Sequence, residues 1–328
     1  MGGIVVVGSL NMDLVAVAPR IPAPGETLLG SRHFTAFGGK GANQAYAAAK
    51  LGGEVIMLGR VGADRYGELM RANLASVGCD VADVRVVDGA SGVALIVVSE
   101  AGENSIVVTP GVNQRLRARD VEAHASRLGS AGYVLLQLES PMEAVVAAAR
   151  AAKRSGARVV LDPAPVVVPL PPELLALVDI LTPNESEAAE LAGLSSSAFS
   201  IAEGVSIGRG LCDAGAGAVA LKLGARGCLV VTGADAIHIA PPTVEAVDTT
   251  AAGDVFNAAM AVALCEGEEL PAACAFATRA AALSVTRMGA QASVPERREV
   301  DMLAPGVPDH VVVVGARPVF RNAGGPKA

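Results

Sequence analysis

Short, uniformly apolar runs recur along the chain, separated by Ala-rich helical stretches. This rhythm constrains the fold more than any other feature. Ile4–Val7, Val55–Val61, Tyr133–Leu138, Val159–Leu161, Ile180–Thr182 and Ala218–Leu223 are runs of this kind. A strand without polar alternation buries both faces, as strands of parallel sheets do. Between them the pattern predicts helices at Gly41–Leu51, from an Asp64 cap through Ser76, at Pro141–Ser155, from about Glu185, at Gly253–Leu264 and at Leu270–Arg287. Strands and helices in this order imply an α/β fold, with a doubly wound, mostly parallel sheet flanked by helices.

Two segments break the rhythm. Leu14–Ala18 and Thr27–Phe37 flank the turn cluster Pro22-Ala23-Pro24-Gly25, and Val93–Ser99 and Ser105–Thr109 flank Glu100-Ala101-Gly102-Glu103-Asn104. Both read as exposed hairpins. The expectation is one domain over 1–304, with a small β-sheet lid made from the insertions at about 13–37 and 88–110. The remainder, 305–328, carries four prolines and reads as an extension without packed structure, except for a candidate edge strand at His310–Val314.

Hydrophobic residues make up 52% of the 328 and charged residues 18%, ample for a real core. Aromatics are only 3% and the net charge is −7, which argues against a nucleic-acid surface. Cys79, Cys212, Cys228, Cys265 and Cys274 form no C-x-x-C pair and suit a reduced compartment. Charge-free runs reach about a dozen residues, as at Leu191–Ala202, against the ~18–20 of a membrane span. No secretory signal is visible. The chain reads as soluble and cytoplasmic, with no membrane partner.

Several familiar signatures are absent. Gly39-Lys40 is followed by Gly41, so a Walker A hydroxyl is missing; Gly8-Ser9-Leu10-Asn11 is not a dinucleotide fingerprint; and four scattered histidines make no zinc motif.

Four segments remain as candidates for chemistry. Asp248-Thr249-Thr250-Ala251-Ala252-Gly253-Asp254 runs small residues into a helix start. The amides of Ala252, Gly253 and Asp254 are open to an anion there, aided by the helix dipole. Asp254 would lie beside a transferring phosphoryl group as general base, or would simply cap the helix. Gly38-Gly39-Lys40-Gly41-Ala42-Asn43-Gln44 is either a Gly-rich turn or a site where Lys40 and Asn43 donate to hydroxyls. Asn11-Met12-Asp13 and Glu139 follow strand ends, where ligands bind in open α/β sheets. Asn184 with Glu187 is either a capping box or a pair arranging Mg²⁺ and phosphate through water.

Taken together these residues resemble the ribokinase family of sugar kinases, in order over about Ile4–Leu303. Gly38–Gln44 and Asp248–Asp254 carry the likeness, supported by Pro163-Ala164-Pro165, Thr182-Pro183-Asn184-Glu185 and Gly289-Ala290-Gln291. The resemblance implies ATP-dependent phosphorylation of the 5-hydroxyl of D-ribose, giving D-ribose 5-phosphate. Asp254 would be the base, and Ala251, Ala252 and Gly253 the anion hole. Asn11, Asp13, Gly39, Lys40, Asn43 and Glu139 would hold the sugar with Asp254. Asn184, Lys222, Gly224, Gly227, Gly253 and Thr278 would lie along ATP, with Glu187 near Mg²⁺ through water. A monovalent cation, K⁺, would lie by Asp248, Thr250, Ser284, Arg287, Gly289 and Ser293. The lid would cover the sugar and contribute a homodimer contact.

Lys222 departs from the family pattern, where Thr or Ser is more usual. The alternatives are a related kinase for deoxyribose, another sugar or a nucleoside, and a non-catalytic sugar- or nucleotide-binding regulator. The scarcity of aromatics disfavours a nucleoside base pocket.

Overall fold

The computed structural model describes residues 2–233 and 235–303, together with the pair 308–309. In chain order the strands are β1 (Gly3–Val7), β2 (Asn11–Ala18), β3 (Arg32–Gly38), β4 (Val55–Gly62), β5 (Val84–Val87), β6 (Gly92–Ser99), β7 (Asn104–Thr109), β8 (Ala131–Gln137), β9 (Arg158–Asp162), β10 (Ile180–Leu181), β11 (Ala218–Lys222), β12 (Cys228–Val231), β13 (Ala236–Ile239) and β14 (Pro308–Asp309). The helices are α1 (Lys40–Lys50), α2 (Arg65–Ser76), α3 (Ala118–Glu122), α4 (Ala125–Ser130), α5 (Met142–Arg154), α6 (Pro172–Leu175), α7 (Glu185–Leu191), α8 (Ile201–Asp213), α9 (Ala252–Cys265), α10 (Leu270–Ser284) and α11 (Arg297–Met302).

Ten strands form the main sheet in the order β14-β13-β12-β11-β10-β9-β8-β1-β4-β5. From β5 to β11 neighbouring strands run parallel; β12, β13 and β14 add an antiparallel edge. The apolar runs have the burial expected of them. On β1, Ile4 and Val6 enter the core layer shared with α1, α9 and α10, while Val5 and Val7 enter the opposite layer, under α5 and α8. Both faces of each inner strand are covered, so no polar alternation is possible.

The second sheet has the order β3-β2-β6-β7. β2 pairs antiparallel with β3 and parallel with β6, and β6 and β7 form a hairpin. Two stretches far apart in sequence therefore build one small sheet. Strand β3 begins at Arg32, so the expected extended segment from Thr27 is shorter than the pattern suggested.

Helix α2 is capped by Asp64, whose carboxylate accepts from the Gly67 amide at 2.8 Å. Helix α10 ends at Ser284 rather than at Arg287. Helix α8 and strands β12 and β13 had no clear signal in the pattern. The five cysteines are free, three of them buried. His310–Val314 and the rest of the expected extension lie outside the described residues, apart from the bonding of Pro308–Asp309 to β13. Among the described residues no helix is long and apolar enough to cross a membrane.

The first strand sits inside the sheet, with β4 on one side and β8 on the other. Strand order reverses between β1 and β8, and such a switch point opens a crevice at the carboxyl ends of the strands.

Candidate active site

The candidate residues gather at that carboxyl edge. Ser9 and Asn11 follow β1, Glu139 follows β8, Asp162 ends β9, Asn184 follows β10 and Lys222 ends β11. Helix α1 starts beside them, and Gly41 lets it do so: a Cβ there would lie 2.7 Å from the Gly8 backbone. The Lys40 amide, at the start of α1, donates to Glu139 Oε2 at 3.0 Å, and the Ser9 hydroxyl donates to the same oxygen. Asn11 is buried, and its Oδ1 accepts from Asn113 Nδ2 at 2.9 Å.

Asp13 lies on β2 opposite the end of β3, facing the crevice from the small sheet. Burial, and after it the nearby Glu139, pushes its carboxyl up to about 7.

Asp254 occupies the first turn of α9 and is buried. Its Oδ2 accepts from Asn43 Nδ2 at 3.0 Å and its Oδ1 from Gln44 Nε2 at 3.1 Å. Burial raises its pKa to about 6; Asp162 adds to the rise, and Lys40, Asn43 and Gln44 oppose it. A carboxylate in this state is ionised at neutral pH and closer to a useful base than an exposed one. Lys40 stands among the acids. Burial alone would lower its pKa, but Asp254, Asp162, Glu139 and Glu187 raise it, so the ammonium persists.

The amides of Gly253 and Asp254 have no partner among the described residues, as expected for a helix N-terminus. Ala252 differs from the expectation: its amide donates to Thr249 O at 3.2 Å. The cause is Ala251, which caps α9 in the left-handed region at φ 59° and turns the chain back on itself. A non-Gly residue there costs about 1–2 kcal/mol, and such strain tends to occur where function holds it in place.

Two cavities meet over this helix end. A polar one of 660 Å³ is lined by Lys40, Asp162, Glu187, Lys222 and the Ala251–Asp254 turn. A more apolar one of 530 Å³ is lined by Gly227, Pro241, Val244, Phe256, Thr278 and Val285. Lys222, Gly224, Thr249, Ala252 and Gly253 border both. The Thr278 hydroxyl donates to Cys274 O at 2.8 Å, and the residue lines the apolar cavity.

Asn184 and Glu187 form the capping box of α7. Asn184 Oδ1 accepts from the Glu187 amide at 2.9 Å, and Glu187 Oε2 from the Asn184 amide at 2.8 Å. Both residues also line the polar cavity, so the cap does not remove them from its wall. No cluster of three or more His, Cys, Asp or Glu side chains able to hold a metal occurs among the described residues. Asn184 and Glu187, in the wall of the polar cavity, are the oxygen donors that could reach a Mg²⁺ through water.

The expected monovalent-cation residues fall into two sets. Asp248 gathers Thr250 and Gly289: its Oδ1 accepts from the Thr250 amide at 2.9 Å and hydroxyl at 2.6 Å, its Oδ2 from the Gly289 amide at 2.8 Å. The Ser284 and Ser293 hydroxyls each donate to a carbonyl one turn back, at 2.8 Å. The Arg287 guanidinium pairs with Glu299 at 2.6 Å; being a cation with no acceptor atom, it is no ligand for a metal ion, so that residue could offer only its backbone carbonyl.

Residues not picked out individually from the sequence complete the centre. Gln137 Nε2 donates to Gln44 Oε1 at 2.7 Å, and Gln44 Nε2 donates to Asp162 Oδ2 at 3.2 Å as well as to Asp254. Gln291 Nε2 donates to Asn43 Oδ1 at 3.1 Å. The hints were the positions of Gln44 inside the Gly-rich segment, of Gln291 in Gly289-Ala290-Gln291, of Gln137 two residues before Glu139 and of Asp162 before Pro163.

A buried carboxylate at a helix N-terminus, two lysines in a polar cavity and an apolar recess alongside make a phosphotransferase site with an alcohol group as acceptor. Residues 1–297 match the model of the pfkB family carbohydrate kinase. A ribokinase of Haemophilus influenzae is 41% identical over 296 residues, covering 90% of this chain and 95% of that protein. A ribokinase of Bacillus subtilis is 40% identical over 304 residues, covering 92% and 99%. The solved structure of Arabidopsis thaliana ribokinase complexed with ribose and ATP superposes with a TM-score of 0.82 at 36% identity, covering 91% and 97%. The chain belongs to the pfkB family of carbohydrate kinases.

Proposed function

We propose that this chain is an ATP-dependent kinase that phosphorylates the 5-hydroxyl of D-ribose. The observation that carries the reading is Asp254: a buried carboxylate, ionised near neutral pH, held one residue beyond an unpartnered Gly253 amide in the wall of the polar cavity. The relatives named ribokinase, and the one solved with ribose and ATP, support the choice of substrate.

The sugar lies between Asp13, Asn43 and Glu139, with its 5-hydroxyl toward Asp254. The triphosphate lies in the polar cavity and the adenine in the apolar recess near Gly227 and Thr278. The ribose oxygen attacks the γ-phosphorus, forming an O–P bond. The bond from that phosphorus to the β,γ-bridging oxygen breaks, and its electron pair leaves with ADP. The hydroxyl proton passes to Asp254. Charge on the moving phosphoryl group meets the Gly253 and Asp254 amides and the dipole of α9. Asn184 and Glu187 would hold Mg²⁺ through water, and the ion would supply positive charge against the triphosphate. K⁺ held by Asp248 and neighbouring carbonyls would fix the loop before α9 and so the anion hole.

The chain acts as one kinase domain over 1–304, with the small sheet as a lid over the sugar. Leu95, Ile106, Val107 and Val108 leave apolar surface exposed on that sheet. This supports a homodimer through the lid, which light scattering tests by mass. The reading also supports a cytoplasmic enzyme, since ATP and K⁺ are supplied there.

ADP release measured against a panel of sugars, with K⁺ present or replaced by a large organic cation, tests the function. Turnover is expected to be highest with D-ribose and K⁺. A clear preference for another sugar contradicts the reading of the sugar pocket.

A further inference from the structure

Lys222 ends β11 at the boundary of the two cavities and lines both. Its ammonium lies 3.0 Å from Asp162 Oδ1, with only 13% and 3% of the two side chains exposed. A Cβ built on Gly253 would lie 3.3 Å from the same nitrogen, so the ammonium stands over the first turn of α9. That turn presents the unpartnered amides of Gly253 and Asp254.

The helix end by itself is an unfavourable place for a cation. The N-terminal end of a helix carries partial positive charge and repels an ammonium. A nearly buried ion pair recovers little of its desolvation cost, so stability alone is a weak reason for it. Asp162 holds the lysine there in spite of both effects. An anion entering between Lys222 and the helix end turns repulsion into three convergent attractions: the ammonium and two amides.

The pair is also wired to the base. The second oxygen of Asp162 accepts from Gln44 Nε2 at 3.2 Å, and the same nitrogen donates to Asp254 Oδ1 at 3.1 Å. Gln137 fixes the other end of that amide. Lys222, Asp162, Gln44 and Asp254 thus form one continuous set of polar contacts, and a shift of the cation is felt at the base.

We propose that Lys222 is a further catalytic residue, whose ammonium contacts the non-bridging oxygens of the transferring phosphoryl group, and that Asp162 is the positioning residue that aims it. The proposal rests on the kinase reading above. Lys222 gives up no proton: the bond made to the sugar oxygen, the bond broken to ADP and the proton taken by Asp254 are unchanged. The ammonium stabilises charge on the phosphoryl oxygens as it redistributes in the transition state.

Steady-state kinetics of the full chain with ATP and its sugar acceptor tests this, using Lys222→Met and the double variant Lys222→Met with Asp162→Asn. Lys222→Met is expected to lower kcat about a hundredfold, with the KM for sugar nearly unchanged. The double variant leaves neither charge alone. It is expected to regain the thermal stability of the wild type, yet to stay about tenfold or more below its kcat. A merely structural ion pair predicts a double variant with wild-type kcat. That result, or an unchanged Lys222→Met, overturns the proposal. Because the double variant also removes the Asp162 contact to Gln44, its kcat is compared with that of Asp162→Asn alone. A double variant no slower than Asp162→Asn overturns the proposal, and the comparison holds even where Lys222→Met unfolds. A wild type inactive with every sugar overturns the kinase reading and this proposal with it; an active wild type with unaffected variants overturns the proposal alone.

Discussion

Asn43 Nδ2 donates to Asp254 Oδ2 at 3.0 Å, while Oδ1 of the same side chain accepts from Gln291 Nε2 at 3.1 Å. Gln291 is held in turn by Asn73 Nδ2, at 2.6 Å. The amide of Asn43 therefore has one orientation, and its donor end always faces the base. Replacing Asn43 by Ala removes one bond that holds the Asp254 pKa down against burial. A bond to a charged group contributes about 1.5–3 kcal/mol, so kcat should fall about tenfold or more. The base acts only when ionised, and wild-type activity should fall as pH drops through about 6. Since the variant raises that pKa, its acidic limb should move to higher pH. A pH–rate profile of both proteins checks the direction.

Gly38 meets Asp13, proposed above to hold the sugar, at very close range. A Cβ there would lie 2.4 Å from both carboxylate oxygens of Asp13. Gly38→Ala should push that short side chain aside and raise the KM for ribose about tenfold, with the KM for ATP unaffected. Initial rates with each substrate varied in turn measure the two effects separately.

Asp13 carries its own pH dependence. Burial and then Glu139 raise its pKa to about 7. Below that value it becomes protonated and loses part of its capacity to accept bonds from sugar hydroxyls. The KM for ribose should therefore rise as pH falls through about 7. Asp13→Asn should show a high KM at every pH, with this dependence lost. Calorimetric titration of ribose at several pH values reads it directly.

Much of this centre is visible in the sequence, for a physical reason. Gly38–Gln44 and Thr249–Asp254 are runs of small residues entering helices, and only small residues let backbone amides approach a ligand. The apolar strands announce a parallel sheet, because burial on both faces removes alternation. The relay through Gln137, Gln44 and Asp162 is different. Its bonds join residues 93 and 118 positions apart, and they exist only because β8 and β9 lie side by side next to β1. Strand order is not written in local pattern. The backward turn of Ala252 was equally hidden, since nothing in an Ala-Ala-Gly run marks Ala251 for the left-handed region that usually takes Gly.

The Asp248 turn leads to a prediction about cations. Its carboxylate ties Thr250 to Gly289 immediately before α9. Asp248→Ala should abolish stimulation by K⁺ while leaving the slow rate measured without K⁺ nearly unchanged. Rates over a KCl series at constant ionic strength decide it; stimulation that survives the substitution places the cation elsewhere.

The central claim is that Asp254 takes the proton from the 5-hydroxyl of ribose as the phosphoryl group transfers. Its most direct test is phosphorus NMR of the products formed from D-ribose and ATP by the wild type and by Asp254→Asn, with ribose and ATP binding measured in parallel. The account predicts ribose 5-phosphate and ADP from the wild type. It predicts turnover lower by about a thousandfold or more from the variant, with both ligands still bound. Phosphate on another hydroxyl, or an Asp254→Asn protein that turns over at the wild-type rate, would contradict it.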